Sequence, residues 1–140
     1  FRRFRRITYK EASASFLFYI CAMSQLSEDE LHQLAMTTVG QSLEADGYEF
    51  LAVNSAPKKD PQFVCTKDKV LHFVVVRHVR YPQNPNEFDS ELMNQVKEHA
   101  IKFKAKTYYA GVGFAHASDY DKPLSKNEPY AINFNGIKEI

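Results

Sequence analysis

Apolar residues first recur at helical spacing directly after a capping signal. Ser27 and Glu30 form the Ser-x-x-Glu pattern of a capping box, in which each side chain accepts a hydrogen bond from the other residue's free backbone N–H. Gly47 can adopt the left-handed conformation that ends a helix. Between these signals, small or apolar residues return every three or four positions: Leu31, Leu34, Ala35, Thr38, Val39 and Leu43. The pattern predicts an amphipathic helix over 28–46.

Three apolar runs follow, separated by polar breaks. Residues 48–53 and 62–66 are typical of strands, and Pro57 and Pro61 exclude the charged loop between them from a sheet ladder. The run over 70–76, VLHFVVV, has too little polar alternation for a strand with one wet face. It is therefore predicted to be the central strand, with both faces covered.

The second half of the chain predicts another helix and three more strands. A helix is expected over 89–104 and a strand over 107–114, TYYAGVGF. Residues 131–134 and 137–140 flank Asn135-Gly136, a dipeptide typical of two-residue hairpins. The predicted order is α-β-β-β-α-β-β-β, an α/β (α+β) domain over 27–140 with a mixed central sheet flanked by helices.

The number and spacing of cysteines and histidines bear on whether the chain can hold a metal or a cluster. The chain has 140 residues and two cysteines, Cys21 and Cys65, without the close spacing of a zinc or iron–sulfur site. Four of the five histidines, at 72, 78, 99 and 116, are scattered, and Cys65 lies inside an apolar strand that favours a core role. We expect no metal, no cofactor and a reducing, cytoplasmic setting.

Charge divides the chain into an arm over 1–26 and a body. Residues 1–10 hold four Arg and one Lys without an acid, whereas the remaining residues hold thirteen bases against seventeen acids. Arg2, Arg3, Arg5 and Arg6 can contact phosphates, although a negative body is poorly suited to them. The apolar run 16–23, FLFYICAM, is too short to span a bilayer and is expected to dock on the core; a membrane or targeting role is the alternative.

Three motifs carry a family resemblance. GYEFLAVN over 47–54, DPQFVC over 60–65 and FVVVR over 73–77 together resemble the small predicted-endonuclease group of the PD-(D/E)XK superfamily. That group typically shows GY-x-x-L-x-x-N before strand one, an Asp on strand two and FVEVK on strand three. The resemblance implies the restriction-endonuclease-like fold.

The same resemblance implies a degenerate active site. Nuclease chemistry of this kind needs an Asp and a Glu around a divalent cation, with a Lys nearby. Here Gln62 stands in place of the Asp, Val75 of the Glu and Arg77 of the Lys, and a helix position that often carries an acid falls near Met36. Gln62 and Arg77 are expected close together on adjacent strands, with Val75 on the same face as Arg77 and positive charge suited to a small anion rather than a cation.

PQFVC, FVVVR and KTYYAGVG also resemble small bacterial chains labelled as a component of a sodium-translocating NADH:quinone reductase. The residues do not support that label, because a cysteine cluster and the third glycine of a dinucleotide loop after Gly111 and Gly113 are missing.

Three functions stay open at this point. The first is an inactive nuclease-fold protein that binds or scaffolds, as a homodimer or beside a partner protein. The second is nucleic-acid binding led by the arm. The third is a metal-dependent nuclease with a migrated site, in which Asp60 supplies a ligand.

Overall fold

The computed structural model describes residues 25–140 and shows an α+β fold with two helices and six strands. Of the predicted arm, only Gln25 and Leu26 fall within this range, so Arg2, Arg3, Arg5, Arg6 and the run 16–23 lie outside the described residues. The predicted order of elements is confirmed. In chain order the elements are α1 (Glu28–Ala45), β1 (Glu49–Val53), β2 (Phe63–Lys67), β3 (Val70–Arg80), α2 (Ser90–Ile101), β4 (Lys106–His116), β5 (Tyr130–Phe134) and β6 (Lys138–Glu139).

The strands form one mixed sheet in the order β1-β2-β3-β4-β5, with β6 also paired to β4. The first three strands are antiparallel neighbours, β3 and β4 are parallel, and β5 and β6 run antiparallel to β4. The connection between the parallel strands contains α2, as a parallel crossover requires. The prediction that β3 is the central strand is confirmed, because Val74 pairs with Phe63 on one side and Tyr108 on the other.

The two helices cover opposite faces of β3. Val74 and Val76 belong to the core cluster that includes Leu31, Val39 and Leu43 of α1, whereas Val75 packs with Met93 and Val96 of α2. All three valines are fully buried. Side chains alternate across a strand, so an uninterrupted valine run fills both layers at once.

Local signals fix both ends of α1. The Glu30 N–H donates to Ser27 Oγ at 3.1 Å and the Ser27 N–H donates to Glu30 Oε1 at 3.2 Å, which confirms the capping box. Gly47 has a φ of 89°, which is the left-handed conformation predicted for the residue that ends the helix. The Tyr48 N–H then donates to the Leu43 carbonyl and turns the chain into β1.

In the second half the hairpin prediction was wrong, and the predicted helix is present but shorter. Asn135-Gly136 does not make a hairpin, because β5 and β6 both pair with β4 instead of with each other. Gly136 does take a positive φ of 87°, and the chain bends there. It then continues from β5 to β6 along the same edge of β4. The helix predicted over 89–104 ends at Ile101, since the next N–H groups bond three residues back and Lys104 is left-handed at φ 56°.

Candidate functional site

The predicted site residues meet where the pairing of β2 with β3 ends. The ladder stops at Phe63 and Val74, which leaves the Val76 N–H without a β2 backbone partner. Gln62 fills this gap: its backbone N–H donates to the Val74 carbonyl at 3.0 Å and its side-chain Oε1 accepts from the Val76 N–H at 2.8 Å. Its carbonyl also accepts from the Asn54 N–H, at 2.7 Å. The buried Gln62 amide therefore continues the sheet by one more bond.

Asp60 and Arg77 form a two-pronged ion pair beside Gln62. Arg77 Nη1 donates to Asp60 Oδ1 at 2.8 Å and Nη2 donates to Oδ2 at 2.7 Å. Nη1 also donates to the Val76 carbonyl at 2.9 Å. A guanidinium matches a carboxylate in this parallel geometry, which gives strong charge-assisted bonds. The anion that Arg77 holds is a residue of its own chain.

The electrostatics of Asp60 fit this pairing. Burial alone raises the pKa of the Asp60 carboxyl, but the bonds from Arg77, a contribution from Gln62 and the Arg77 charge outweigh it, so the pKa is lowered overall. Gln62 Nε2 makes no hydrogen bond of ordinary geometry, so the two short Arg77 contacts are the main cause of the lowering. Asp60 is therefore ionised at neutral pH and paired.

Val75 and Arg77 share one face of β3 and line one cavity, as the alternation predicted. The cavity measures about 240 Å³ and is also lined by Met93, Asp89 and Tyr109. The Tyr109 hydroxyl donates toward the carbonyls of Pro85 and Glu87, both at 3.2 Å. An aliphatic side chain stands where the resemblance implies a metal ligand.

Two larger cavities, of about 470 and 460 Å³, lie away from this site and both adjoin Leu26.

The candidate metal ligands of this site are either already bonded or uncharged. Both Asp60 oxygens are bonded to Arg77, and the neighbouring Gln62 contributes a neutral amide. Across residues 25–140, no three His, Cys, Asp or Glu side chains are grouped so that they could hold a metal ion. Burial raises the pKa of Cys65 to about 11, so its thiol stays protonated at neutral pH.

A polar cluster on the α1 face was missed by sequence reasoning. His78 Nε2 lies 2.6 Å from Glu28 Oε2, Arg80 bonds the other Glu28 oxygen, and the His32 ring stands 6.2 Å from the His78 ring. Burial lowers the pKa of both histidines, and each also lies near positive charge. His32 Nε2 is buried without a hydrogen-bond partner. The i to i+4 spacing of Glu28 and His32 is the signal that could have placed these residues on one side of α1.

The first strand offers a separate surface. Every residue of β1 is exposed, and β1 is an outer strand of the sheet. Phe50, Leu51 and Val53 are among the large hydrophobic residues exposed in the structure. An uncovered apolar edge strand can pair with another chain.

A family model described as a domain of unknown function (DUF8840) matches residues 29–140. No match was found among the curated proteins. None was found among the solved structures. Among residues 25–140, no helix has the length and apolar content needed to cross a membrane.

Proposed function

The chain belongs to the DUF8840 family, a domain of unknown function, and from its geometry we propose that it is a non-hydrolytic protein-binding module built on a restriction-endonuclease-like sheet. The observation that carries the proposal is the ion pair between Asp60 and Arg77. The resemblance implies that Arg77 stands in place of the lysine, and Arg77 is bonded to Asp60, the acid that a migrated metal site would need.

The fold supports this proposal at the level of element order. The helix, three strands, second helix and fourth strand follow one another in the order that was expected for this fold. The first three strands are antiparallel neighbours and the fourth runs parallel to the third, so the sheet is mixed. In the motif register that the resemblance implies, Gln62, Val75 and Arg77 stand at the positions of the two acidic ligands and the lysine. Two anionic oxygen ligands for a hard cation are replaced by an amide and an alkyl group, which bind such a cation poorly.

The binding half of the proposal rests on β1. Its five exposed residues end the sheet on one side, and their backbone groups on the outer side have no strand partner in the described chain. Strand addition uses such groups for affinity and the alternating side chains for specificity. A protein partner fits this surface better than a phosphate backbone does, because the surface is apolar.

A nuclease assay tests the loss of hydrolysis. Purified full-length chain is incubated with supercoiled plasmid and with RNA in Mg²⁺ or Mn²⁺, beside the Asp60→Asn variant. We expect no nicking or cleavage by either chain, because Arg77 is bonded to both Asp60 oxygens and no three His, Cys, Asp or Glu side chains within residues 25–140 are grouped to hold the ion. Metal-dependent cleavage that disappears in Asp60→Asn would show a migrated ligand and overturn the proposal. Equal metal-dependent cleavage by both chains that stays with the protein through further purification would also overturn the proposal.

A second candidate function is nucleic-acid binding by the arm. The observation that favours it is the concentration of five bases within residues 1–10 of a chain whose other residues carry a net negative charge. Arginine contacts to phosphates and stacking of Phe1 or Phe4 on bases would supply the affinity.

A further inference from the structure

The outer strand β1 carries exposed apolar side chains on the faces of the sheet. Leu51 is 61% exposed, Val53 55% and Phe50 37%, although Phe50 also stacks on the Phe63 ring at 5.3 Å. After Glu49 the strand reads Phe-Leu-Ala-Val, without the lysine or proline that proteins use to block edge pairing. The side chains of an added strand would lie next to these apolar side chains on the same faces of the sheet and would cover part of their surface.

The opposite edge shows what a protected edge looks like in the same sheet. There β5 and β6 are separated by an unpaired break at Asn135 and Gly136, and β6 consists of Lys138 and Glu139. A short, interrupted and charged edge discourages strand addition. The contrast locates the pairing surface at β1.

Charges at the two ends of β1 have opposite sign. Glu49 begins the strand, and Glu44 and Asp46 precede it at the end of α1, all three exposed. Exposed Lys58 and Lys59 follow in the loop after the strand. An antiparallel partner with the same sequence would bring its basic end to this acidic end, whereas a parallel copy would bring like charges together.

We propose that β1 pairs with β1 of a second copy of this chain, antiparallel across a two-fold axis near Leu51. This inference rests on the proposed function, since it names the protein that the module binds. The two-fold arrangement is closed, so pairing ends at two copies instead of continuing as a filament.

The bulge in β1 fits this axis. The pairing of β1 with β2 shifts by one residue between Phe50 and Ala52, which leaves Leu51 as the extra residue. With the axis at Leu51, the regular segment 49–50 of one copy faces the regular segment 52–53 of the other. The irregular residue then meets only its own symmetry mate.

Cysteine cross-linking tests the register in full-length chain. In a Cys21→Ser background, where the remaining Cys65 is fully buried, we expect Leu51→Cys to form a disulfide-linked dimer under mild oxidation. Facing residues of antiparallel strands have Cα atoms about 4.5–5.5 Å apart, within disulfide reach. Glu49→Cys and Val53→Cys should not cross-link alone, because each lies roughly 14 Å from its symmetry mate. A mixture of those two variants should cross-link.

Sizing by sedimentation tests the association itself. The unmodified chain should be dimeric, and Leu51→Lys should be monomeric with unchanged circular dichroism, because residue 51 is exposed within one chain. The matched control, Ile132→Lys, places the same charge on exposed Ile132 of the opposite edge and should leave the dimer intact.

Several results would overturn the pairing. These are a monomeric unmodified chain at every concentration tested, equal cross-linking of the three single variants, or loss of the dimer in Ile132→Lys. Should Leu51→Lys fail to fold, the cross-linking pattern still decides. A monomer that does not cleave nucleic acid would contradict this pairing alone, whereas a dimer with metal-dependent cleavage would contradict the proposed function.

Discussion

Asp60 and Arg77 lie seventeen residues apart and meet because the loop after β1 returns beside the end of β3. The resemblance implies that Arg77 stands in the lysine position, and the sequence alone allows Asp60 as a migrated metal ligand. Sequence could not show that each satisfies the other, because this depends on the conformation of the loop over 54–62. The sequence cannot distinguish an aspartate that binds a divalent ion from an aspartate that is paired with arginine.

A double-mutant cycle measures what this pair contributes. Asp60→Asn and Arg77→Met should each lower the free energy of unfolding by about 1–3 kcal/mol, because each leaves a largely buried charged partner unmatched. The double variant should cost clearly less than the sum, when followed by urea denaturation. The exposed pair of Glu30 and Lys126, at 3.2 Å, is the control, with coupling of about 0–1 kcal/mol. Equal coupling in both cycles would contradict the structural role.

The pH dependence of the same variants has a definite sign. The pKa of Asp60 is lowered in the folded chain from its ordinary value of 3.8. Its stabilisation is therefore fully present above about pH 4, and it is lost as pH falls through the lowered folded pKa. The stability difference between the unmodified chain and Asp60→Asn should shrink over that acidic range.

His32 shows a different limit of sequence reasoning. It is buried on the core side of α1, between residues whose spacing correctly indicates the apolar stripe. A single histidine in such a stripe does not reveal its neighbour, and His78 is brought beside it only because β3 extends to Arg80 instead of ending near residue 76. The parallel partner β4 supports that extension, since Arg80 pairs with Phe114.

At the scale of elements, periodicity and capping were informative where they coincided. The ends of α1 were predicted correctly from Ser27 and Gly47. The burial of β3 on both faces was predicted correctly from the run Val74 to Val76. Asn135-Gly136 was misread because the dipeptide indicates a positive φ without saying what the chain does on either side. Long-range pairing with β4 decided that the strand bends and continues, a choice local propensity does not contain.

Two glycines of β4 test how closely the loop before α2 packs on this strand. A Cβ added at Gly111 would lie 1.8 Å from the Pro85 carbonyl oxygen, so the loop over 82–88 packs directly on the strand. Gly111→Ala should lower the free energy of unfolding by about 1–3 kcal/mol or more, measured by urea denaturation, because backbone must move. At Gly113 the nearest atom is the Pro85 side chain at 3.3 Å, so Gly113→Ala should be much milder. Equal effects would contradict this packing.

At the scale of the whole molecule, two parts of the sequence suit different partners. The body presents an apolar edge at β1, and residues 1–10 carry five of the eighteen basic side chains. A formal net charge of +1 conceals this separation. Nonspecific attraction to nucleic acid would have to come from the arm, since the rest of the chain repels phosphate on average.

The arm is tested by removing its charge while keeping the chain intact. If it binds phosphates, changing Arg2, Arg3, Arg5 and Arg6 to Gln should weaken binding to a single-stranded oligonucleotide. The slope of log affinity against log salt should fall by about three, at roughly 0.7 per phosphate contact. The control changes four exposed bases of the body to Gln: Lys58, Lys59, Lys69 and Lys97. Fluorescence anisotropy across a salt series should show a large loss for the arm variant and a small one for the control. Equal losses would assign binding to overall charge, and an unmodified chain without salt-dependent binding would remove this candidate function.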